Sequence, residues 1–152
     1  MRVVVGCDEA AFEMKEAIKE FLSAAGHEVT DFGVGPDETA LYPDIAHQAA
    51  TAVAEGRHER AILMCGTGIG VAISANKVSG IRAAQAHDAY SAERAQKSND
   101  AQVLCMGARV IGIELAKTIV AAYMGAHFEG GRSAIKVERI KEYEKRMGST
   151  TS

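Results

Sequence analysis

Short apolar runs alternate with amphipathic stretches along the chain. Val3-Val4-Val5 is a β-branched run ended by Gly6-Cys7-Asp8. Its continuous apolar character reads as a strand buried on both faces. Met14, Ile18, Phe21, Leu22 and Ala25 then recur at helical spacing, and Gly26 stops the helix. A second strand is predicted from His27 to Phe32, and a loop from Gly33 to Leu41 carrying Gly33, Gly35, Pro36 and Asp37. Pro43 suits a first helical turn, and that helix runs through Ile45, Ala49, Ala52 and Val53 to Gly56.

The second half repeats the pattern. Ala61-Ile62-Leu63-Met64 is a third strand feeding Gly66-Thr67-Gly68-Ile69-Gly70, and an alanine-rich helix then ends near Val78 to Gly80. A fourth strand is predicted from Ile81 to Ala86, a helix from Ala89 to Lys97 and a fifth strand from Val103 to Met106. An apolar-faced helix spans Ile113 to Met124. Gly130-Gly131 punctuates, and a charged helix runs from Ala134 to Arg146. Residues 1–147 read as one domain, and the tail 148–152 is expected to be disordered. Strands alternating with helices imply an α/β fold with a parallel sheet covered on both faces.

Composition narrows the classes. With 152 residues, 47% of them hydrophobic and only 2 Pro, the chain can bury a sizeable core and is not a candidate for intrinsic disorder. Seventeen Lys+Arg against 20 Asp+Glu give a net charge of -3, which argues against a nucleic-acid-coating surface but leaves room for a local anion pocket. No run approaches the roughly 20 apolar residues of a membrane span. The chain opens on a strand-like run, so neither a membrane nor a leader is expected. Cys7, Cys65 and Cys105 are too few and too spread for a disulfide framework, and no zinc-type spacing occurs. A cytoplasmic, reducing setting without metal or cofactor is the expectation.

In parallel sheets ligands bind beyond the carboxyl ends of the strands. Three such ends carry polar or reactive groups: Asp8, Cys65-Gly66-Thr67, and Gly107 leading to Arg109. Cys65 ends a buried strand and precedes a glycine turn into a helix, where free N–H groups and the helix dipole favour an anion. A thiol there can act as nucleophile or base. Cys7 and Cys105 lack a neighbouring glycine turn with a hydroxyl and read as structural. The turn departs from the dinucleotide fingerprint, because Val71 stands where Gly or Ala is required and the motif follows the third strand. Asp88 lies at the distance of a ribose-binding acid, so a non-catalytic nucleotide-binding module stays open as a rival. No Walker loop follows, and a thiol phosphatase would need Arg in place of Val71. A turn of free N–H groups at Gly66, Gly68 and Gly70, the Thr67 hydroxyl and a thiolate suit stabilising an oxyanion while a base moves a proton.

Arg109, Arg132 and Lys136 are the phosphate candidates. Arg132 follows two glycines, and Lys136 points the same way one helical turn later. Guanidinium groups offer bidentate contact with phosphate. A solvated charged helix is the commoner role for such residues, and Arg109, just past a strand end, is the stronger candidate. Asp8 suits a substrate hydroxyl or a helix N-cap. Asn99-Asp100 could cap or turn, and Tyr42 could contact a hydroxyl or pack the loop. His47 and His87 read as surface or helix-end residues.

Together, Gly6-Cys7-Asp8, Tyr42-Pro43-Asp44, Cys65-Gly66-Thr67-Gly68-Ile69-Gly70, Ala75-Asn76-Lys77 with Gly80-Ile81-Arg82, Asn99-Asp100, Gly107-Ala108-Arg109 and Glu129-Gly130-Gly131-Arg132 resemble the type B ribose-5-phosphate isomerase and galactose-6-phosphate isomerase family. The match runs in order from about Met1 to Arg146. The resemblance implies a Rossmann-like three-layer α/β/α sandwich around a five-stranded parallel sheet. It implies a homodimer or tetramer with active sites shared between subunits. The implied reaction is metal-free aldose–ketose isomerisation of a sugar phosphate through a cis-enediolate. Cys65 matches the family's base, Thr67 and the N–H groups of Gly68 to Gly70 its anion hole, and Asn99 a contact to the reacting oxygens. Asp8 and Tyr42 match hydroxyl-binding positions. Arg109 and Arg132 match phosphate ligands, with Arg132 implied to come from the partner chain. Relatives that use a Glu in the turn carry it where this chain has Val71.

The departures also carry meaning. Ribose-type members usually have His before Asn-Asp, where it helps open the furanose ring, and this chain has Ser98. Glu9 stands where they carry a His near the phosphate, and Ser133 and Lys136 stand where they often have His and Arg. A tetrose phosphate cannot close a furanose through a phosphorylated hydroxyl and needs no ring opening. An open-chain substrate such as erythrulose phosphate is therefore an alternative to ribose 5-phosphate and ribulose 5-phosphate. An isomerase-like protein without activity is a third reading, opposed by the intact Cys65, Thr67, Asn99, Arg109 and Arg132.

Overall fold

The computed structural model describes residues 1–149. Strand β1 spans Arg2–Cys7. A 3-10 turn at Glu9–Ala11 leads into α1, Phe12–Ala24, and β2 follows at Glu28–Asp31. Next come α2 at Tyr42–Ala54, β3 at Arg60–Cys65 and α3 at Ile69–Ala75. Strand β4 at Ala83–Gln85, α4 at Ala89–Lys97, β5 at Val103–Gly107, α5 at Ile113–Met124 and α6 at Arg132–Ser149 complete the order.

All pairings are parallel, in the order β2-β1-β3-β5-β4. The central strands are buried on both faces, which explains the unbroken apolar runs. Alternate residues divide between two cores. Val3, Val5, Ile62, Met64, Leu104 and Met106 pack with α1 and α5. Val4, Ala61, Leu63, Cys65, Val103 and Cys105 pack with α2 and α3, whose alanines (Ala46, Ala49, Ala50, Ala75) let those helices approach closely. This is the expected three-layer α/β/α sandwich.

The chain leaves β1 towards β2, then crosses back to place β3 on the other side of β1. The order of strands therefore reverses between β1 and β3, and such switch points open a crevice at the strands' carboxyl ends. Asp8 and Cys65 stand at those two ends.

Some boundaries move. β2 and β4 are shorter than the pattern predicted, although Phe32 and Ala86 just beyond them still donate to the Val5 and Cys105 carbonyls of the neighbouring strands. Helix α3 stops at Ala75, and residues 76–80 close as turns before Gly80 in the left-handed region (φ 86). Helix α6 begins at Arg132 and continues through Gly148 and Ser149, correcting the expected disorder at those two positions; residues 150–152 lie outside the described residues. Val137 is buried, whereas Ile135, Ile140, Tyr143 and Met147 are exposed. No helix among the described residues is long and apolar enough to cross a membrane.

Candidate active site at the switch point

Cys65 is the last residue of β3, and its side chain faces the α2–α3 layer. The residue is 5% exposed. The chain then turns through Gly66, Thr67 and Gly68, with Gly68 at φ 78. That turn brings the Gly68 N–H to the sulfur, donating to Cys65 Sγ at 3.2 Å. The Ile69 N–H donates to Thr67 Oγ1 at 3.2 Å. The first N–H groups of a helix have no intrahelical acceptor. With Gly68 and Ile69 engaged, Gly70 and Val71 are the residues of the first turn left to meet an oxyanion.

Glycines are required here by close packing. A Cβ on Gly68 would lie 2.8 Å from the Met106 carbonyl carbon, and one on Gly107 would lie 2.5 to 2.7 Å from Thr67 backbone atoms. The Tyr42 ring fills the space beside Gly70, with Cζ 2.6 Å from where a Cβ would sit. Tyr42 is thus fixed by its ring at the edge of the turn while 40% of the residue stays exposed.

The end of β5 is tied to the same turn. The Ala108 N–H donates to the Cys65 carbonyl at 2.9 Å and the Arg109 N–H to the Gly66 carbonyl at 3.0 Å. The Arg109 guanidinium consequently lies over Gly66, with Nη1 3.2 Å from the position of a Cβ there. Asp8 feels this charge across the crevice. Burial pushes its carboxyl upward in pKa and the Glu9 charge adds to that, while the Ala10 N–H and Arg109 oppose it. One Asp8 oxygen accepts the Ala10 N–H at 3.1 Å and caps the 3-10 turn. The capping reading of Asp8 thus applies, and the same carboxylate faces the Arg109 cation.

Burial pushes the Cys7 thiol up to about 11 and raises that of Cys105 further. Glu9 turns its carboxylate to the Ala40 N–H at 3.3 Å and ties down the loop between β2 and α2. This bond and that to its own N–H hold its carboxyl below the ordinary value.

Ser98 ends α4 and Asn99 follows it. The Ser98 hydroxyl accepts two bonds from Arg94, from Nε at 2.8 Å and from Nη2 at 2.5 Å. The Asn99 and Asp100 carbonyls are held by Arg82. Arg132 and Lys136 lie on the exposed first turns of α6, and among the described residues neither side chain makes a hydrogen bond or ion pair. One chain therefore brings together Asp8, Tyr42, Cys65 to Gly70 and Arg109, and among the described residues no hydrogen bond or ion pair ties Arg132 or Lys136 to them. Among the described residues no group of three or more His, Cys, Asp or Glu could hold a metal ion.

Two residues beside the turn were missed or misread. Gln85 donates through Nε2 to the Thr67 carbonyl at 2.8 Å. His87, read as a surface residue, is half-buried and accepts the Gly107 N–H at 2.9 Å. The signal was available, since both lie at the carboxyl end of a predicted strand, as Asp8, Cys65 and Arg109 do.

A family model described as Ribose/Galactose Isomerase matches residues 3–140. The chain belongs to this isomerase family. It is 54% identical over 145 residues to the D-erythrulose-4-phosphate isomerase of Pectobacterium atrosepticum, covering 95% of each chain. It is 48% identical over 146 residues to the ribose-5-P isomerase B of Listeria innocua, covering 96% of this chain and 99% of that one. The solved ribose-5-phosphate isomerase B of Clostridium thermocellum superposes with a TM-score of 0.94 at 43% identity, over 97% of this chain and 99% of the other. The isomerase family and its Rossmann-like architecture thus agree with the order of motifs from Gly6 to Arg132.

Proposed function

We propose that the chain, a single isomerase domain over residues 1–147, interconverts an aldose phosphate and a ketose phosphate through a cis-enediolate. Cys65 is the base. Its thiolate takes the proton from the carbon next to the carbonyl and returns it to the former carbonyl carbon, while the proton of the adjacent hydroxyl passes to the former carbonyl oxygen. The observation that carries this reading is the Gly68 N–H aimed at the Cys65 sulfur, beside a turn whose remaining donors are unspent. A donor on sulfur stabilises the thiolate, and preorganised N–H groups stabilise the oxygen charge that develops when a proton leaves carbon. Thr67 and the N–H groups from Gly70 onward steady that oxygen, and Asn99 contacts the reacting oxygens. Asp8 and Tyr42 hold sugar hydroxyls, and Arg109 with Arg132 and Lys136 holds the phosphate.

Arg132 reaches the site from a second copy of the chain. Exposed Leu41, Ile69 and Ile73 at the α2–α3 face, and Ile135, Ile140 and Tyr143 on α6, supply the apolar surface that a homodimer would cover.

Ribose 5-phosphate and ribulose 5-phosphate are the substrate pair of the first reading, supported by the relatives named ribose-5-phosphate isomerase B. Ser98 favours a second. A serine hydroxyl that already accepts two Arg94 donors is a poor acid for opening a furanose ring. A four-carbon phosphate such as erythrulose phosphate needs no such step, and two relatives bear the name D-erythrulose-4-phosphate isomerase. Steady-state rates on ribose, ribulose and erythrulose phosphates test both readings. Turnover of at least one is expected, and none across a wider panel of phosphorylated aldoses and ketoses contradicts the isomerase. Ribose 5-phosphate turned over as well as erythrulose phosphate removes the four-carbon reading.

A further inference from the structure

Strand β4 ends at Gln85, where it pairs with Cys105, and the Ala86 N–H still reaches the Cys105 carbonyl at 3.1 Å. The ladder between β4 and β5 then stops, two residues short of the end of β5. The next inward donor of β5, the Gly107 N–H, meets the His87 Nε2 at 2.9 Å instead of a strand carbonyl. A ring nitrogen that accepts a backbone N–H carries no proton, so this bond calls for the tautomer with its hydrogen on Nδ1.

Gly107 is the register partner of Cys65 and lies against the Thr67 backbone. Residues 108 and 109, which follow it, are bonded to the Cys65 and Gly66 carbonyls. Gln85, the last residue of β4 and two residues before His87, holds the Thr67 carbonyl. Two side chains of one strand end thus brace the Cys65–Thr67 turn, Gln85 directly and His87 through Gly107. Neither role was visible from composition or motif.

We propose that His87 is a positioning residue, whose unprotonated Nε2 extends the β4–β5 ladder by one side-chain rung and fixes Gly107, and through it the Cys65–Thr67 turn, in the reacting geometry. The inference rests on the isomerase reading. It predicts that the loss falls on turnover, because a turn displaced by a fraction of an ångström still admits substrate but misaligns base and oxyanion donors.

The test compares His87→Gln and His87→Leu with the wild-type enzyme on the best phosphorylated sugar of the panel. Glutamine can place Oε1 where Nε2 stands and accept the same N–H, and leucine cannot. His87→Leu is expected to lower kcat on the order of tenfold to a hundredfold, with KM little changed, and His87→Gln to recover most of that loss. Unchanged kcat in the leucine variant, a loss confined to KM, or equal losses in both variants would overturn the proposal. Nitrogen-15 NMR of the wild-type imidazole gives a readout independent of activity and of variant folding. An unprotonated Nε2 coupled to the Gly107 amide is expected. A protonated Nε2 at a pH where the enzyme is active would overturn the role while leaving the isomerase intact.

Discussion

The Cys65 sulfur receives the Gly68 amide at 3.2 Å, three residues further along the same turn. The sulfur is thereby tied to the conformation of the loop, and Gly68 is drawn away from the substrate's oxygen. On the proposed reading the anion hole therefore begins at Gly70, two residues later than the resemblance implies, because the Ile69 N–H is taken by Thr67. Gly68→Ala should distort both functions, because φ 78 disfavours any side chain and the new methyl would meet Met106 backbone. An activity loss larger than the loss in melting temperature explains is the expected result.

Gly107→Ala should behave as a structural lesion at the site. The added carbon would stand 2.5 Å from the Thr67 carbonyl carbon, and backbone on both sides cannot give way cheaply. Overpacking of this kind costs roughly 1–3 kcal/mol. Denaturant unfolding should show a loss in that range, together with a fall in kcat.

Arg109→Ala should weaken binding of the phosphorylated substrate. A bond to a charged group contributes roughly 1.5–3 kcal/mol, which corresponds to a rise in KM of about tenfold to a hundredfold. Arg109→Lys keeps the charge but loses the fork, so a partial effect is expected. Equal KM values for wild type and Arg109→Ala would remove Arg109 from the phosphate site.

Mixing the inactive variants Cys65→Ala and Arg132→Ala tests whether sites are shared. If Arg132 serves the partner's Cys65, mixed dimers hold one site with both native residues. Activity absent from either parent should appear on mixing. No recovery, with subunit exchange verified, would place Arg132 in its own chain's site or outside any site.

Lys15 is buried and donates to both Asp31 oxygens, at 3.1 and 2.9 Å, and to the Val34 carbonyl at 2.6 Å. Burial alone would lower the Lys15 pKa and raise that of Asp31, but their mutual bonds outweigh it, raising Lys15 and lowering Asp31. The Asp31 contribution is present above its unfolded value of 3.8 and is lost as pH falls through its lower folded value. The Lys15 contribution is present below 10.5 and is lost as pH rises through its higher folded value. Stability should be level between these limits as far as this pair is concerned. Lys15→Met should cost about 3 kcal/mol, the low end for a broken buried pair, since Asp31 keeps Lys19.

The sheet was legible because its central strands are buried on both faces and read as Val3-Val4-Val5, Ala61-Ile62-Leu63-Met64 and Val103-Leu104-Cys105-Met106. Its edge strands were over-extended, since β2 and β4 are half-exposed and carry a weaker pattern. The turn after Cys65 announced itself through glycines that packing against Met106, Thr67 and Tyr42 demands. His87, Gln85 and Arg94 were not found, because each acts by meeting a partner (Gly107, Thr67, Ser98) that spacing alone does not reveal; for His87 and Gln85 the one signal was their place at the end of a predicted strand. Glu9, which stands where ribose-type members carry a His near the phosphate, has its carboxylate occupied by the Ala40 amide.

Solvent deuterium exchange into the carbon next to the substrate carbonyl isolates the step assigned to Cys65. Wild-type enzyme in heavy water should label that carbon. Cys65→Ala, with an unchanged circular dichroism spectrum and melting temperature, should slow labelling by about a hundredfold to ten-thousandfold, the range for loss of a positioned base. Labelling at the wild-type rate would mean that another group removes the proton and that the sulfur beside Gly68 is structural.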